Sequence, residues 1–457
     1  MSNNNHQPNV LVFIPHDLGD YLGCYGHRVL KSPNLDGLAK QGIRFTNHFA
    51  VAPECTASRS GMLTGLYPHQ NGLMGLAFFG WNLHPDAIHL AKRLRQTGYS
   101  THLFGLQHEA HKNPSSLGYE HIHAHDNLSA ASVCKELNSF LGSNEAKQRP
   151  WFAHAGFMNV HRPWHNTPVF TPEDIIVPPF LPDNPVIRKD FTHFYQSILE
   201  MDTAIGETME TLKQSGLDEN TVAIFTTDHG CPFPRAKATF YDPGIKIPLI
   251  VRWPGRLKAG LAFDRLTSNV DFTPTVLDIC GSPIPAGLEG RSLLPLIEGR
   301  EYLERDAVYG DCYYDVSYDP IHYVRTQTHK YIRSFAVTPE DARGINPDVL
   351  CTHGSGSWIR FDDFDVMSSA SWRSMNVDCS PPPAEELYDL KADPLEQNNL
   401  VGQPGTETIL ESMRERLQKT MKRTQAKLLK GHIPPPRAQE EGSRKLRHGN
   451  PGSTKKK

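Results

Sequence analysis

Four short apolar runs, each followed by a histidine or an aspartate, constrain this chain more than any other feature of its sequence. They lie at residues 10–14, 101–104, 151–157 and 222–226. Runs without polar alternation suit strands buried on both faces, as in a parallel sheet covered by helices. Past their C-terminal ends come His16 and Asp17, then His108, His161, and Asp228 with His229. In open α/β sheets, ligands bind along that edge. The repetition predicts one shared site on one edge of an α/β fold, a largely parallel mixed sheet sandwiched by helices.

Helix signals fill the intervals. Ser32-Pro33-Asn34-Leu35-Asp36 predicts a helix with a serine N-cap and a first-turn proline, closed by Gly42. Residues 85–97 predict another, with Ile88, Ala91 and Leu94 on one face and Gly98 as its stop. A long helix over 191–214 carries Ile198, Met201, Ile205, Met209 and Leu212 at helical spacing, and 272–279 is a further helical stretch. Cys55-Thr56-Ala57-Ser58-Arg59 runs into Ser60-Gly61-Met62-Leu63-Thr64-Gly65, a short helix that stops at Gly65. Cys55 and Ser58 are thereby placed at or just before a helix N-terminus. Free backbone N–H groups there favour an anion and activate a thiol.

Beyond Arg252-Trp253-Pro254-Gly255 the pattern shortens. Residues 323–332 read as a hairpin in a smaller antiparallel sheet, and 407–430 as an amphipathic helix. The tail from His432, rich in Pro, Gly, Lys and Arg, is expected to be disordered or draped on the surface. The division expected is a catalytic α/β domain over 1–300, a C-terminal α+β subdomain over 301–431 and a tail over 432–457.

A formal charge of −3 over 457 residues gives no footprint for nucleic acid. No apolar run is long enough to span a bilayer. The eight cysteines contain no Cys-x-x-Cys pair, which argues against a disulfide framework or a zinc ribbon. Met1-Ser2-Asn3-Asn4-Asn5-His6 lacks the basic and apolar regions of a secretory signal. A cytoplasmic location is expected for the chain as written, and a periplasmic or exported one if a leader has been trimmed. His121-Ile122-His123-Ala124-His125-Asp126 sets alternate histidines on one strand face. With no matching ligands evident elsewhere, it reads as a polar strand face and not a zinc site.

Cys55-x-Ala57-Ser58-Arg59 with the Leu63-Thr64-Gly65 helix end resembles the signature of type I sulfatases, in the alkaline-phosphatase-like superfamily. Ser32-Pro33-Asn34-Leu35-Asp36 and Glu386-Leu387-Tyr388-Asp389 with Asn398-Asn399-Leu400 also resemble that family, so the likeness spans about residues 8–400. Leu63-Thr64-Gly65-Leu66, His69-Gln70-Asn71-Gly72 and Asp228-His229-Gly230-Cys231-Pro232-Phe233-Pro234 look closest to its heparan N-sulfatase (sulfamidase) branch.

The resemblance implies a definite chemistry. A formylglycine-generating maturation enzyme would oxidise Cys55, and the hydrated aldehyde would be the nucleophile. Asp17, Asp228, His229, the modified Cys55 and His16 would hold Ca2+ or Mg2+, hard cations that want oxygen ligands. Arg59 would brace the nucleophile, and His108 and His161 would be the substrate-side histidines. Lys237, in Lys237-Ala238-Thr239-Phe240-Tyr241-Asp242-Pro243-Gly244, would bind a sulfate oxygen. The expected substrate is a sulfated sugar, a glycosaminoglycan fragment or a small sulfate ester, O- or N-linked.

Two departures stand out. His16 occupies the place of a second aspartate, and imidazole is a softer ligand. Leu106 stands where the family usually has a lysine, with Arg235 or Lys112 as candidate replacements. The alternatives are a phosphonate monoester or phosphodiester hydrolase of the same superfamily and a non-catalytic relative that binds sulfated glycan.

Overall fold

The computed structural model describes residues 7–123, 127–315, 318–335, 350–352, 358–360, 369–375, 378–379, 383–439 and 441. Its main sheet has eight strands: β1 (Asn9–Ile14), β2 (Ile43–Phe45), β3 (Ser100–Gly105), β4 (His121–His123), β5 (Trp151–Gly156), β6 (Thr221–Thr226), β7 (Leu249–Arg252) and β8 (Leu261–Phe263). Their order across the sheet is β4-β3-β5-β1-β6-β7-β2-β8. The four apolar runs form the parallel centre, β3-β5-β1-β6. Beyond it β7 pairs antiparallel to both β6 and β2, so the sheet is mixed.

Every residue of β1, β5 and β6 is buried, because the sheet is covered on both faces. Along β1, Leu11 and Phe13 enter one core with helices Pro33–Gln41, Ala130–Leu141 and Pro185–Gln214. Val10, Val12 and Ile14 enter the other with Leu90–Gln96 and Phe272–Ile279. The alternation is the period-two geometry of a strand.

A second sheet is antiparallel, in the order β9 (Val308–Tyr314), β10 (Tyr318–Arg325), β11 (His329–Ser334) and β12 (Glu385–Asp389). The hairpin expected at 323–332 is its β10–β11 turn, with Arg325 opposite Lys330. Helix Glu407–Arg423 lays Leu410, Met413, Leu417 and Met421 on Val324, Tyr331 and Leu387. This sheet abuts the segment leading into Cys55. The Asp311 N–H donates to the Val51 carbonyl at 2.9 Å. A Cβ on Gly310 would come within 2.0 Å of that oxygen, so only glycine fits there.

Several expectations are corrected. Ser32 precedes its helix but does not cap it, since its hydroxyl donates to Asp36 and accepts from the Gly23 N–H. Asp202 of the long helix caps in its place, accepting from the Asn34 and Leu35 N–H groups at 3.1 and 2.8 Å. The helix expected over 85–97 is only Leu90–Gln96, capped by the His89 ring, because a turn at Pro85 and Asp86 precedes it. The long helix begins earlier, at Pro185, because the Asn184 side chain accepts from the Val186 and Ile187 N–H groups. The last helix ends at Arg423, where Gln425 turns to φ 55°, and Lys427–Lys430 forms a separate short turn.

Beyond His432, Ile433 and Gln439 are buried, and Gln439 accepts from the Trp81 indole. Residues 442–457 lie outside the described residues, as do His125 and Asp126 of the histidine-rich stretch. Six cysteines have described side chains, and all are free thiols. No described helix is long and apolar enough to cross a membrane.

Candidate active site

The C-terminal edge of the central strands gathers the candidate residues at one place. Helix Cys55–Thr64 begins with Cys55 itself and closes at Gly65, whose φ of 73° is the left-handed conformation that glycine adopts freely. Ser58 in its first turn donates to the Asp228 carbonyl, and Asn269 donates to Ser58 Oγ at 2.8 Å. These bonds fix the helix start over the strand ends. The Cys55 Sγ then lies 3.3 Å from His229 Nε2 and 4.0 Å from Asp17 Oδ1.

The two aspartates are interlocked. Asp17 sits in the left-handed region at φ 55°, a strained conformation for a residue with a Cβ, and its N–H donates to Asp228 Oδ1 at 3.0 Å. Asp228 Oδ1 also accepts from the His229 N–H, while Oδ2 accepts from Arg59 Nε at 3.0 Å. Lys237 Nζ donates to Asp17 Oδ2 at 2.9 Å and lies 3.2 Å from His161 Nε2. Burial alone would raise both carboxyls. Lys237, His161 and His229 outweigh it and hold Asp17 well below the usual carboxylate range. His229, His16 and Arg59 do the same for Asp228.

The histidines differ in state. Burial, helped by Arg59, lowers His16 to about 4, so its ring is neutral. Burial together with His16 and Arg59 pushes His108 well below its ordinary value. The His108 ring stands edge-on to His16 at 4.6 Å, and its buried Nδ1 has no hydrogen-bond partner among the described residues. His161 also faces His16, with ring centres 5.4 Å apart.

A divalent cation fits this donor set. One ligand atom each from Asp17, Cys55, Asp228 and His229 lie within 4.8 Å of one another, and all four residues are buried. His229 Nδ1 donates to the Gly230 carbonyl at 3.1 Å, which turns Nε2 toward Asp17 Oδ1 at 3.2 Å and Cys55 Sγ at 3.3 Å.

All the candidate residues therefore converge at this edge. Arg59 donates to Asp228 Oδ2 and to the carbonyls of Ile14 and Pro15. Arg235 does not replace the cation missing at Leu106. Its guanidinium donates to the Leu395 and Glu396 carbonyls and stacks on Tyr241 at 4.0 Å. Lys112 is exposed on its loop. Two residues escaped the sequence reading. Asn269 anchors Ser58, and Glu109 is a carboxyl only 2% exposed, raised by burial, whose Oε2 accepts from the His108 N–H. Neither carries a local signal, since both act through contacts made only by folding.

An edge that sets carboxylates and imidazoles for a dication beside an ammonium for an anion is suited to hydrolysing charged esters, and this is the class that fold and site define. Residues 8–282 match the sulfatase family. Residues 234–341 match the C-terminal region of N-sulphoglucosamine sulphohydrolase. The chain belongs to the sulfatase family and is a sulfuric ester hydrolase by class.

N-sulphoglucosamine sulphohydrolase of Homo sapiens is 27% identical over 478 aligned positions, covering 90% of this chain and 89% of the relative. An ulvan-active sulfatase of Formosa agariphila is 27% identical, covering 90% of this chain and 74% of that protein. Among solved structures, a protein in complex with its substrate D-glucosamine-2-N,6-O-disulfate superposes with a TM-score of 0.71 at 21% identity, covering 92% of this chain and 98% of that one. The phosphonate monoester hydrolase of Agrobacterium radiobacter gives 0.69 at 21%, covering 91% and 96%. Both structural likenesses show the alkaline-phosphatase-like fold alone.

Proposed function

We propose that the chain hydrolyses a sulfate ester or sulfamate on a sulfated sugar, with Cys55 converted to formylglycine and a divalent metal at the strand ends. The observation that carries the reading is the convergence of Cys55, Asp17, Asp228, His229 and Lys237 within one buried cluster. The relatives named for N-sulphoglucosamine and ulvan point to the sugar.

Formylglycine, once a maturation enzyme has made it, supplies a hydrated aldehyde as the oxygen nucleophile. Asp17, Asp228, His229 and residue 55 would hold a dication, with His16 in an overlapping group through Asp17, and that ion would supply positive charge for an anionic ester. The remaining work falls to the side chains of this chain. Lys237 is fixed by Asp17 and presents its ammonium to a sulfate oxygen as a point charge. The start of helix Cys55–Thr64 adds backbone N–H groups at the same place. His108, neutral through burial, faces the cluster beside His16 with an Nδ1 that has no hydrogen-bond partner among the described residues. His161, in contact with Lys237, is the residue assigned to contact with the departing alcohol or amine. Arg59 holds Asp228 in register and keeps it ionised.

The test is turnover of matured protein on an aryl sulfate, on N-sulfoglucosamine and on a phosphonate monoester. Release of sulfate from either of the first two, faster than hydrolysis of the phosphonate, supports the proposal. Faster turnover of the phosphonate overturns it in favour of a phosphonate hydrolase.

A further inference from the structure

The histidines of His121-Ile122-His123 have no matching ligands in the sequence around them, and the fold supplies such ligands from two other segments. β4 is the edge strand of the main sheet and pairs with β3, where His121 stands opposite His102 in the parallel register. His102 is buried, with its ring bonded to Ser100 Oγ at 2.8 Å and packed on Phe140 at 4.3 Å. Glu145 comes from the turn Glu145–Lys147, which follows helix Ala130–Leu141. Its Oε1 lies 3.8 Å from His121 Nε2. His123 Nε2, 3.3 Å from His102 Nδ1, places a third imidazole at the same edge.

One donor atom each from His102, His121 and Glu145 lie within 4.8 Å of one another, although the three residues belong to three separate elements. Around a tetrahedral ion with bonds of about 2.1 Å, donor atoms stand about 3.4 Å apart, so small side-chain movements close the set. The His102 and His121 rings are nearly parallel, at 14°, with centres 4.5 Å apart. A nitrogen lone pair lies in its ring plane, so one ring must turn about its Cβ–Cγ bond before both meet one ion. His121 and Glu145 have room for that movement, with side chains 41% and 51% exposed. His102, bonded to Ser100, is the fixed donor. The neighbouring Arg149 is paired with Glu120 at 2.8 Å, which offsets its charge.

We propose that His102, His121 and Glu145 form a further metal site, which takes Zn2+ and ties the short edge strand β4 to β3 and to the Glu145 turn. Two imidazoles and one carboxylate suit zinc, whereas Ca2+ and Mg2+ want oxygen ligands. His102 stands three residues before the end of β3, about 10 Å short of the edge that carries the Cys55 cluster, and β3 is two strands from β1. The site is therefore separate from the strand-end cluster and does not depend on the sulfatase reading. A three-residue strand with a free outer edge is weakly held by its ladder, and an ion shared by three elements stabilises it.

The test counts zinc and needs no turnover. Metal-stripped full-length protein is dialysed against Zn2+ in a large excess of Ca2+ and Mg2+, and the retained zinc is measured by elemental mass spectrometry. Any zinc held at the strand-end cluster is common to parent and variants, so the difference between them reports this site. The parent should hold one equivalent more than H121A, and E145Q should bind that equivalent at least about tenfold more weakly. Zinc should also slow amide hydrogen exchange across 121–123 in the parent and not in H121A. Equal zinc in the parent and either variant overturns the inference, and so does exchange across β4 that zinc leaves unchanged. Both substitutions fall on half-exposed side chains. Melting curves in chelator check that the variants fold, and where one fails the other decides.

Discussion

Replacing Lys237 by Met keeps the aliphatic stem and removes the charge. The side chain is 3% exposed, and its ammonium is shared between Asp17 Oδ2 at 2.9 Å and His161 Nε2 at 3.2 Å. Two losses follow. A preorganised cation aimed at the developing anion disappears, which costs about 10²–10³ in kcat, or about 2.7–4 kcal/mol. Asp17 also loses the strongest of the charges holding its carboxyl low, so in metal-free protein the broken buried pair costs about 3–5 kcal/mol of stability. The assay is steady-state kinetics of matured protein on an aryl sulfate at saturating metal, with melting curves run beside it. Because Lys237 touches His161, the K237M/H161A double variant should lose less than the sum of the singles, with coupling of about 0.5–3 kcal/mol. A K237M enzyme with kcat within about threefold of wild type, or fully additive singles, would refute the role given to this ammonium.

Other predictions concern the scaffold and the anion site. Burial lowers His89 to about 3, so the folded ring stays neutral while the unfolded chain takes up a proton near pH 6.5. Its contribution is complete above that pH and fades as pH falls toward 3, by about 2 kcal/mol at pH 5; denaturant unfolding of H89Q should show a pH dependence shallower by one proton in that window. D202A strands the Asn34 and Leu35 N–H groups and should lower unfolding free energy by about 1–3 kcal/mol, read from the urea midpoint. L106K places a cation at the end of β3 and should lower KM for an aryl sulfate severalfold while kcat changes little, checked by initial-rate kinetics.

The four runs were legible because burial on both faces favours apolar residues, with Thr101, His102 and His154 as buried, hydrogen-bonded exceptions, and that one constraint located the central strands and the functional edge together. The left-handed glycine at position 65 likewise marked the end of the cysteine helix. Caps made at a distance were hidden: Ser32 has the right chemistry for its position, yet Asp202, remote in sequence, does the capping. At the site, residue types predicted company but not pairing. Arg59 reads as a brace for the nucleophile one helical turn away, and its bond to Asp228, remote in sequence, could not be foreseen. Glu109 and Asn269 gain their places only from the packing of distant segments. The Asn184-Pro185 start of the long helix was written in the sequence as an N-cap and a first-turn proline, and it precedes the stretch that the apolar spacing picks out.

The most direct test of the central claim is peptide mass spectrometry across Cys55, on protein made in its native host and on protein co-expressed with a formylglycine-generating enzyme. The account predicts an aldehyde in place of the thiol, with sulfate ester turnover rising in proportion to the converted fraction. An intact, alkylatable thiol under both conditions, or turnover that does not follow the aldehyde, would contradict it.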